Sequence, residues 1–298
     1  AAMLEDSRFV RHAVWDRLRS TADGDPGGLW GQAIGSWGHI GGNGNAARLD
    51  RSTGGFLMGI DRANDTLRFG MVGGYSKTDI DVDARGSSGK IDSFHLAAYA
   101  GGEWRAVALR IGLAHSWQNI HTNRNVVFPG FKDITRASYN GRNFQVFGEL
   151  GYSFDLGHTK IEPYTSLAYV RTRSNAFHET GGDAKLLGNK ASAGVAFSAL
   201  GLRSATTFSL GKTNATFRVG AGWRHAFGNS APVTIMRYEA GGDSFSIVGL
   251  PLTRDAAALD AGLDMAVSGR TTIGLAYSGQ VGNGQTDHMV KAGVSIKF

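Results

Sequence analysis

The nine histidines of this 298-residue chain are its first candidates for chemistry, because the sequence has no cysteine to serve as a thiolate ligand or nucleophile. His115 and His121 have even spacing on one predicted strand, but no third ligand for a metal ion accompanies them. No Gly-x-Ser-x-Gly motif marks a nucleophile, and Ser230, which follows His225, begins a loop without an evident base. The sequence therefore predicts no catalytic site, no metal site and no cofactor.

The charge of the chain limits its partners in a similar way. Its 31 lysines and arginines exceed its 25 aspartates and glutamates, which gives a net charge of +6 and a pI near 9.6. A nucleic-acid-binding protein concentrates basic residues on one face or one helix, whereas here they are spread along the whole chain. We therefore expect no nucleic-acid partner.

From Leu29 onward, apolar residues alternate with small or polar ones, as in strands whose two faces meet different environments. The last segment shows this most clearly, with Val290 and Phe298 on one face and Lys291 and Lys297 on the other. No segment approaches the roughly 20 consecutive apolar residues of a membrane-spanning helix. We predict twelve strands, near residues 29–40, 51–62, 66–80, 91–102, 105–121, 139–155, 159–173, 195–209, 214–228, 254–267, 271–282 and 287–298.

The connections between these strands alternate in length. Short turns follow every second strand, near 64–65, 102–103, 156–158, 211–212 and 268–270. Longer polar connections follow the other strands, notably 122–138, 174–194 and 229–253. A β-sandwich has no reason to place short and long loops at opposite ends, but an outer-membrane barrel has tight periplasmic turns and long surface loops. We therefore predict an all-β fold, a twelve-stranded antiparallel transmembrane β-barrel.

One face of the predicted strands is rich in glycine and alanine and also carries charges. A small barrel filled by its own side chains rarely buries so many charges, but a wide lumen with water or a polar plug accommodates them. The residues predicted to line this lumen are Arg68, His95, Arg110, Gln145, Glu149, Glu162, Arg203, Arg218, Arg224, Asp260 and Asp264. His115, His225 and His288 fall in the opposite register, which we expect to contact outer-membrane lipid.

Residues 1–28 lack the alternation. Met3 to Arg19 predict a helix with charges around most of its circumference, and about 17 helical residues span roughly 25 Å. This length matches the height of the apolar band of an outer-membrane barrel, so the helix can cross the pore once. The charged residues expected on this pore helix are Arg8, Arg11, Asp16, Arg17 and Arg19.

We expect the helix arginines to pair with carboxylates of the lumen, and Arg11 and Arg17 are the best candidates. The acceptors expected are Glu149, Glu162, Asp260 and Asp264. The alternative is that these charges contact only water. Because the strand number is even, the first strand starts on the short-turn side, where Phe298 also lies. The N-terminus of the helix therefore points to the opposite side, which we expect to be the cell surface.

Several short motifs follow one another along the chain. They are Leu29-Trp30-Gly31, Gly54-Gly55-Phe56, Gly59-Ile60-Asp61, Gly73-Gly74-Tyr75-Ser76, Phe147-Gly148-Glu149-Leu150-Gly151-Tyr152, Glu162-Pro163-Tyr164, Glu179-Thr180-Gly181-Gly182, Leu200-Gly201-Leu202-Arg203, Gly222-Trp223-Arg224-His225 and the terminal Phe298. In this order they resemble the translocator domain of autotransporters, the type V secretion family, over essentially the whole chain. The resemblance implies a barrel in the Gram-negative outer membrane that anchors an N-terminal passenger and delivers it to the cell surface.

The resemblance also implies partners and a domain organisation. Residues 1–28 would be the pore-spanning helix and linker, and residues 29–298 the monomeric barrel. Assembly would require the barrel-assembly machinery and periplasmic chaperones, with Phe298 as the assembly signal. Some family members cleave their passenger through an asparagine of the pore helix, but the helix here has none. An outer-membrane hydrolase and a small porin remain as alternative functions.

Overall fold

The computed structural model describes residues 2–20, 26–44, 46–211, 213–228 and 231–298, and strands dominate this part of the chain. Numbered in chain order, the strands are β1 (Gly27–Ile40), β2 (Leu49–Ala63), β3 (Leu67–Val82), β4 (Ser87–Trp104), β5 (Val107–Phe128), β6 (Phe131–Tyr152), β7 (Phe154–Leu156), β8 (Thr159–Ser174), β9 (Phe177–His178), β10 (Thr180–Gly181), β11 (Leu186–Gly188), β12 (Ala191–Leu210), β13 (Thr213–Gly228), β14 (Val233–Tyr238), β15 (Phe245–Val248), β16 (Asp255–Ala266), β17 (Thr271–Gly282) and β18 (Gln285–Lys297). A short 3-10 helix, Asp83–Arg85, connects β3 to β4.

Twelve of the described strands form a closed antiparallel barrel. They are β1 to β6, β8, β12, β13 and β16 to β18. The first and last strands pair from Gly28 opposite Lys297 to Ile40 opposite Gln285, and this pairing closes the sheet on itself. The predicted all-β, twelve-stranded barrel is confirmed.

The two faces of the barrel wall differ as the alternation predicts. Along β6, Phe144, Val146 and Leu150 are 44%, 42% and 47% exposed, whereas Gln145 and Glu149 between them are buried in the lumen. Apolar surface in water costs about 25 cal/mol per Å² relative to an apolar environment. Because such residues cover the outside of the whole barrel, this wall is built to lie in hydrocarbon.

The barrel has two unlike ends. At the turn end lie the start of β1, the end of β18 and the connections 64–66, 105–106, 157–158 and 267–270. At the loop end lie the connections from β1 to β2, β3 to β4, β5 to β6, β8 to β12, β13 to β16 and β17 to β18. The three longest predicted connections all belong to the loop end.

The prediction of a loop at 122–138 was wrong, because these residues extend β5 and β6. The two strands remain paired as far as Phe128 opposite Phe131, and the chain reverses at Pro129 and Gly130. Gly130 has a φ of +81°, a backbone conformation that glycine adopts without strain. The predicted strand ends near residues 121 and 139 are therefore too early, because backbone pairing continues wherever both partners stay extended.

The two longest connections also contain strands. Strands β9, β11, β14 and β15 form a separate antiparallel sheet in the order β15-β14-β11-β9, with Leu186 opposite Tyr238. The predicted loops 174–194 and 229–253 therefore form one shared structure at the loop end. Asn229 and Ser230, the loop residues that follow His225 in the sequence, lie outside the described residues.

Glu179 joins this part of the loop end to the extended β5–β6 hairpin. Its carboxylate accepts hydrogen bonds from Arg124 Nε at 3.0 Å, from Arg124 Nη2 at 2.5 Å and from the backbone N–H of Leu186 at 2.9 Å. The Asp133 carboxylate lies directly over Gly182, where a larger residue would displace it. The Glu179–Gly182 motif thus holds the connection against the hairpin.

The N-terminal segment contains two helices, α1 (Ala2–Asp6) and α2 (Arg8–Arg19). Ser7 between them keeps helical dihedrals, with φ −56° and ψ −26°, so the segment is nearly continuous. No helix in the described part of the chain is long and apolar enough to cross a membrane. Residues 21–25 lie outside the described residues, and β1 begins at Gly27 rather than at residue 29.

Candidate functional site: the helix inside the barrel

Both helices lie inside the barrel, with α1 towards the loop end and the end of α2 towards the turn end. Glycines in the wall make room for them at both levels. A Cβ atom at Gly141 would lie 2.8 Å from Met3 Cε, and one at Gly101 would lie 3.1 Å from Leu18 Cδ2. The small residues of the lumen face therefore let the wall approach the helix closely.

One side of α2 is apolar. Val10, Val14 and Leu18 are spaced by four residues, which places them on one helix face, and all three are buried. The wall residues in the same apolar cluster include Leu57, Val72, Ala97, Tyr99, Ala114, Phe147, Val170 and Val195. Trp15 of the helix meets Phe147 edge to face, with ring centroids 5.8 Å apart. Burying a side chain of this size contributes about 1.5–3 kcal/mol, so this face is a substantial part of the attachment.

Asp61 on β2 fixes the end of α2 at the turn end. Its carboxylate accepts hydrogen bonds from Arg17 Nε at 2.6 Å and from Arg17 Nη2 at 2.8 Å, a bidentate pair. Arg68 Nη1 at 2.5 Å and the Tyr99 hydroxyl at 2.8 Å also donate to it. Tyr99 in turn accepts a hydrogen bond from Trp30 Nε1 at 2.8 Å. The helix arginine thus completes a buried network that the wall has already prepared.

Halfway along the segment, Arg11 contacts a neutral partner. Its Nη1 donates to Gln145 Oε1 at 2.8 Å, and Gln145 Nε2 donates to the carbonyl oxygen of Ser7 at 2.8 Å. The Arg11 guanidinium also lies over the rings of Trp15 and Phe197, at 5.7 Å and 5.8 Å from their centroids. The amide and the two aromatic faces compensate for removing this charge from water.

Near the loop end, Asp6 and Asp287 lie between two arginines. Arg51 Nη1 donates to Asp6 at 2.6 Å and also binds Asp287, while Arg8 of the helix binds Asp287 as well. The Thr78 hydroxyl donates to Asp6 at 2.8 Å. All four charged side chains are almost completely buried, so each charge depends on the others.

Asp16 and Arg19 face the side of the lumen that the helix fills less completely. Asp16 accepts from Lys291 Nζ at 2.5 Å and pairs with Arg19 at 3.3 Å. Between this side of α2 and the wall formed mainly by β8, β12, β13 and β16 to β18 lie cavities of about 180 Å³ and 90 Å³. Asp260, predicted to line the lumen, lies on the wall of both cavities. The helix is therefore packed against one side of the barrel.

The acids predicted to pair with the helix have other partners. Glu149 and Glu162 bind Arg110 and Arg203 within the wall, at 2.8 Å for Arg110 with Glu162 and 2.8 Å for Arg203 with Glu149. Asp264 binds Arg218 of the neighbouring strand at 2.7 Å. These opposite charges of the wall lie against one another. They therefore compensate each other without a contribution from the helix.

The other predicted lumen residues are also placed on the inner face. His95 is buried between two hydroxyls, with Nε2 2.8 Å from Ser76 Oγ and Nδ1 2.8 Å from Ser116 Oγ. Arg224 lies 3.4 Å from Glu5 of α1. His95 thus makes the hydrogen bonds of a polar lining residue.

The helix partners that the sequence analysis missed are Arg51, Asp61, Asp287 and Lys291. A signal for them was present, since each lies in the inward register of its strand. Asp287 and Lys291, for example, share the lumen face of β18 with Gly293. The acids expected as partners lie on β6, β8 and β16, whereas the charged side chains of the helices reach wall residues on β2 and β18.

The described residues contain no group of three or more histidine, aspartate and glutamate side chains able to hold a metal ion. His225 Nδ1 lies 2.7 Å from Asp255 Oδ1, and Trp223 Nε1 donates to the same oxygen at 3.0 Å. This group is on the outer face of the barrel near the loop end, away from the lumen. What the lumen geometry provides is a means of holding a helix in place.

Together, the fold and the lumen define a class of protein, an outer-membrane β-barrel whose pore holds its own N-terminal helix. The chain belongs to the autotransporter β-domain family, since the family model "Autotransporter beta-domain" matches residues 29–278. An extracellular serine protease of Serratia marcescens is 33% identical to it over 308 residues, which cover 100% of this chain and 29% of the protease.

Solved structures show the same fold. The translocator domain of the autotransporter NalP from Neisseria meningitidis superposes with a TM-score of 0.78 at 18% identity, covering 100% of this chain and 97% of that domain. The β-domain of the Bordetella autotransporter BrkA gives a TM-score of 0.65 at 19% identity, and the match covers 92% of this chain and 100% of that domain. The transport unit of AIDA-I from Escherichia coli gives a TM-score of 0.66 at 12% identity, and the match covers 91% of this chain and 90% of that unit.

Proposed function

We propose that this chain anchors an N-terminal passenger polypeptide in the outer membrane and delivers it to the cell surface. The observation that carries the proposal is the path of the chain, which runs through the barrel from the loop end to the turn end before β1 begins. Ion pairs and an apolar face hold the helix along this path. Any polypeptide that precedes the helix is therefore attached at the loop end.

The orientation in the membrane is part of the proposal. Outer-membrane barrels have their short turns in the periplasm and their long connections outside. The turn end, with Phe298, would then face the periplasm, and the loop end with its separate sheet would face the medium. The passenger would emerge at the surface, and the chain would act in the Gram-negative outer membrane as a monomer.

The two alternative functions have less support. A small porin needs an open path, but within the described residues the helices occupy the lumen and leave only cavities of about 180 Å³, 90 Å³ and 70 Å³ beside them. An outer-membrane hydrolase needs a nucleophile and a base in one cleft, whereas His225 and Asp255 lie on the outer wall beside Trp223. We propose that the chain itself has no enzymatic activity and that any activity belongs to a passenger.

A reporter fused ahead of residue 1 tests this function. A short epitope-tagged polypeptide that stays unfolded in the periplasm should appear on the surface of intact cells, where added protease removes it. The same reporter inserted into the turn at 268–270, at the turn end, is the matched control and should resist protease until the cells are permeabilised. A reporter ahead of residue 1 that stays protected in cells with correctly folded barrel would contradict the proposal.

We also propose Phe298 as an assembly signal read by the barrel-assembly machinery, with periplasmic chaperones as earlier partners. Phe298 is 57% exposed on the outside of the wall, and its backbone N–H donates to Gly27 across the closing seam at 3.2 Å. Phe298→Asp should lower the amount of heat-modifiable barrel in the outer membrane severalfold. Val267→Asp, at an exposed site of the same end, is the control. Equal losses in both variants would assign the effect to surface charge rather than to the terminal residue.

A further inference from the structure

Three arginines stand together on the outer wall where the apolar surface ends near the loop end. Arg142 on β6 lies directly opposite Arg173 on β8, and Arg171 is the next outward residue of β8. All three are exposed. Directly opposite residues of antiparallel strands have Cβ atoms about 4.5–5.5 Å apart, and like charges in such a pair repel. The pair of Arg142 and Arg173 is therefore unfavourable unless an anion lies beside it.

The surrounding wall supplies no such anion. Within the described residues, no hydrogen bond or ion pair joins the guanidinium groups of Arg142, Arg171 and Arg173 to another side chain. The outward positions of β5, β6, β8 and β12 carry no aspartate or glutamate along their whole lengths. In the lumen, by contrast, arginines lie against carboxylates, as Arg218 does against Asp264. The arginine group is thus a concentration of positive charge that the protein itself does not neutralise.

Aromatic residues lie immediately next to this group. Arg142 lies between two strands, with Arg173 of β8 opposite it on one side and Trp117 of β5 opposite it on the other. Phe144 of β6 is opposite Arg171. Tyr169 follows Arg171 towards the turn end, and these three aromatic residues are 51%, 44% and 45% exposed. Aromatic side chains on the outside of a membrane barrel mark the boundary between hydrocarbon and headgroups. The arginines therefore lie at the level of the headgroups.

Small residues of β12 lie next to two of the arginines. Ser192 is opposite Arg173, and Gly194 is opposite Arg171. The Tyr169 side chain leans across Gly194, since a Cβ atom there would lie 2.7 Å from the tyrosine hydroxyl oxygen. The Tyr169 hydroxyl therefore lies beside the arginines, where it can donate a hydrogen bond to an anion.

We propose that Arg142, Arg171 and Arg173 bind the phosphate groups of a phosphorylated lipid in the leaflet at the loop end. Guanidinium groups bind phosphate through paired, charge-assisted hydrogen bonds. The bound phosphate removes the repulsion between Arg142 and Arg173. This site is independent of passenger delivery, because it is on the outer wall and not in the lumen.

Native mass spectrometry of the purified barrel released from detergent tests the site, with bis-phosphorylated lipid A as the probe. The triple variant Arg142→Gln, Arg171→Gln, Arg173→Gln should bind it about a hundredfold more weakly. The matched control changes the same number of exposed arginines elsewhere, Arg62→Gln, Arg85→Gln, Arg270→Gln, and should keep the affinity of the parent. Heat-modifiable migration shows that each variant is folded.

Two further arms separate the lipid from other occupants. Dephosphorylated lipid A should bind the parent as weakly as lipid A binds the triple variant. Inorganic phosphate should not displace lipid A at concentrations far above that of the lipid, because it offers one phosphate group to the three arginines where lipid A offers two. Equal binding of lipid A by the parent and the triple variant, equal loss in the control, or displacement by inorganic phosphate would overturn the proposal.

Discussion

Asp61→Asn should destabilise the barrel by about 3–5 kcal/mol, the usual cost of removing one partner of a buried ion pair. The Asp61 side chain is completely buried and binds Arg17 of the helix and Arg68 of the wall. Asparagine keeps the shape but loses the charge, so two buried guanidinium groups lose their counter-ion. Unfolding by denaturant in detergent micelles, followed by tryptophan fluorescence, measures the change.

Asp50→Asn is the matched control, because Asp50 lies on the same strand and binds Arg48 at 2.6 Å with both side chains exposed. An exposed pair of this kind contributes about 0–1 kcal/mol, so this variant should unfold nearly as the parent does. Adding Arg17→Gln to Asp61→Asn should cost less than the sum of the two single changes. Equal unfolding midpoints for Asp61→Asn and Asp50→Asn would show that the buried network does not hold the helix.

Deleting residues 2–19 should convert the barrel into an open pore. The helix with its side chains occupies a cylinder about 10–12 Å across, so its removal leaves a channel of that order. The wall keeps internal counter-ions without it, since Asp61 still has Arg68 and Asp287 still has Arg51. We therefore expect the shortened barrel to fold and its single-channel conductance in planar bilayers to exceed that of the parent severalfold.

The parent should show only small openings, through the cavities beside the helix. Arg17→Glu places a carboxylate against Asp61 and should increase the frequency of large openings. The matched control Arg62→Glu makes the same charge change at an exposed position and should leave the recordings as they are. Unchanged conductance after the deletion would mean that the helix does not occupy the pore.

Much of the fold could be predicted from the sequence because the membrane imposes a simple rule on each strand. Lipid requires apolar residues at every second position, so Val290 and Lys291 could be assigned to opposite faces from their order alone. The helix could be recognised because it lacks this alternation. The extension of β5 and β6 could not be recognised from the sequence. Beyond the membrane, polar residues are tolerated on both faces of a strand, so the alternation no longer marks it.

The partners of the helix were harder to predict, because they depend on where the helix lies in the lumen. Sequence indicates which residues face inward, but not the side of the barrel on which α2 packs. That side is set by the apolar cluster around Val14 and Leu18 and by Gly101, which lets Leu18 approach β4 closely. Arg17 therefore reaches Asp61 on β2, and Glu149 and Glu162 remain with their neighbours in the wall.

We propose that the helix enters the barrel from the cell surface. Single cysteines test this orientation directly, because the chain has no cysteine of its own. One cysteine is placed in a short extension ahead of residue 1, a second replaces Ala240 at the loop end and a third replaces His158 at the turn end. In intact cells, a membrane-impermeant thiol reagent should label the extension and Ala240→Cys, and should label His158→Cys only after permeabilisation. Labelling of His158→Cys in intact cells, with the extension protected, would contradict the claim.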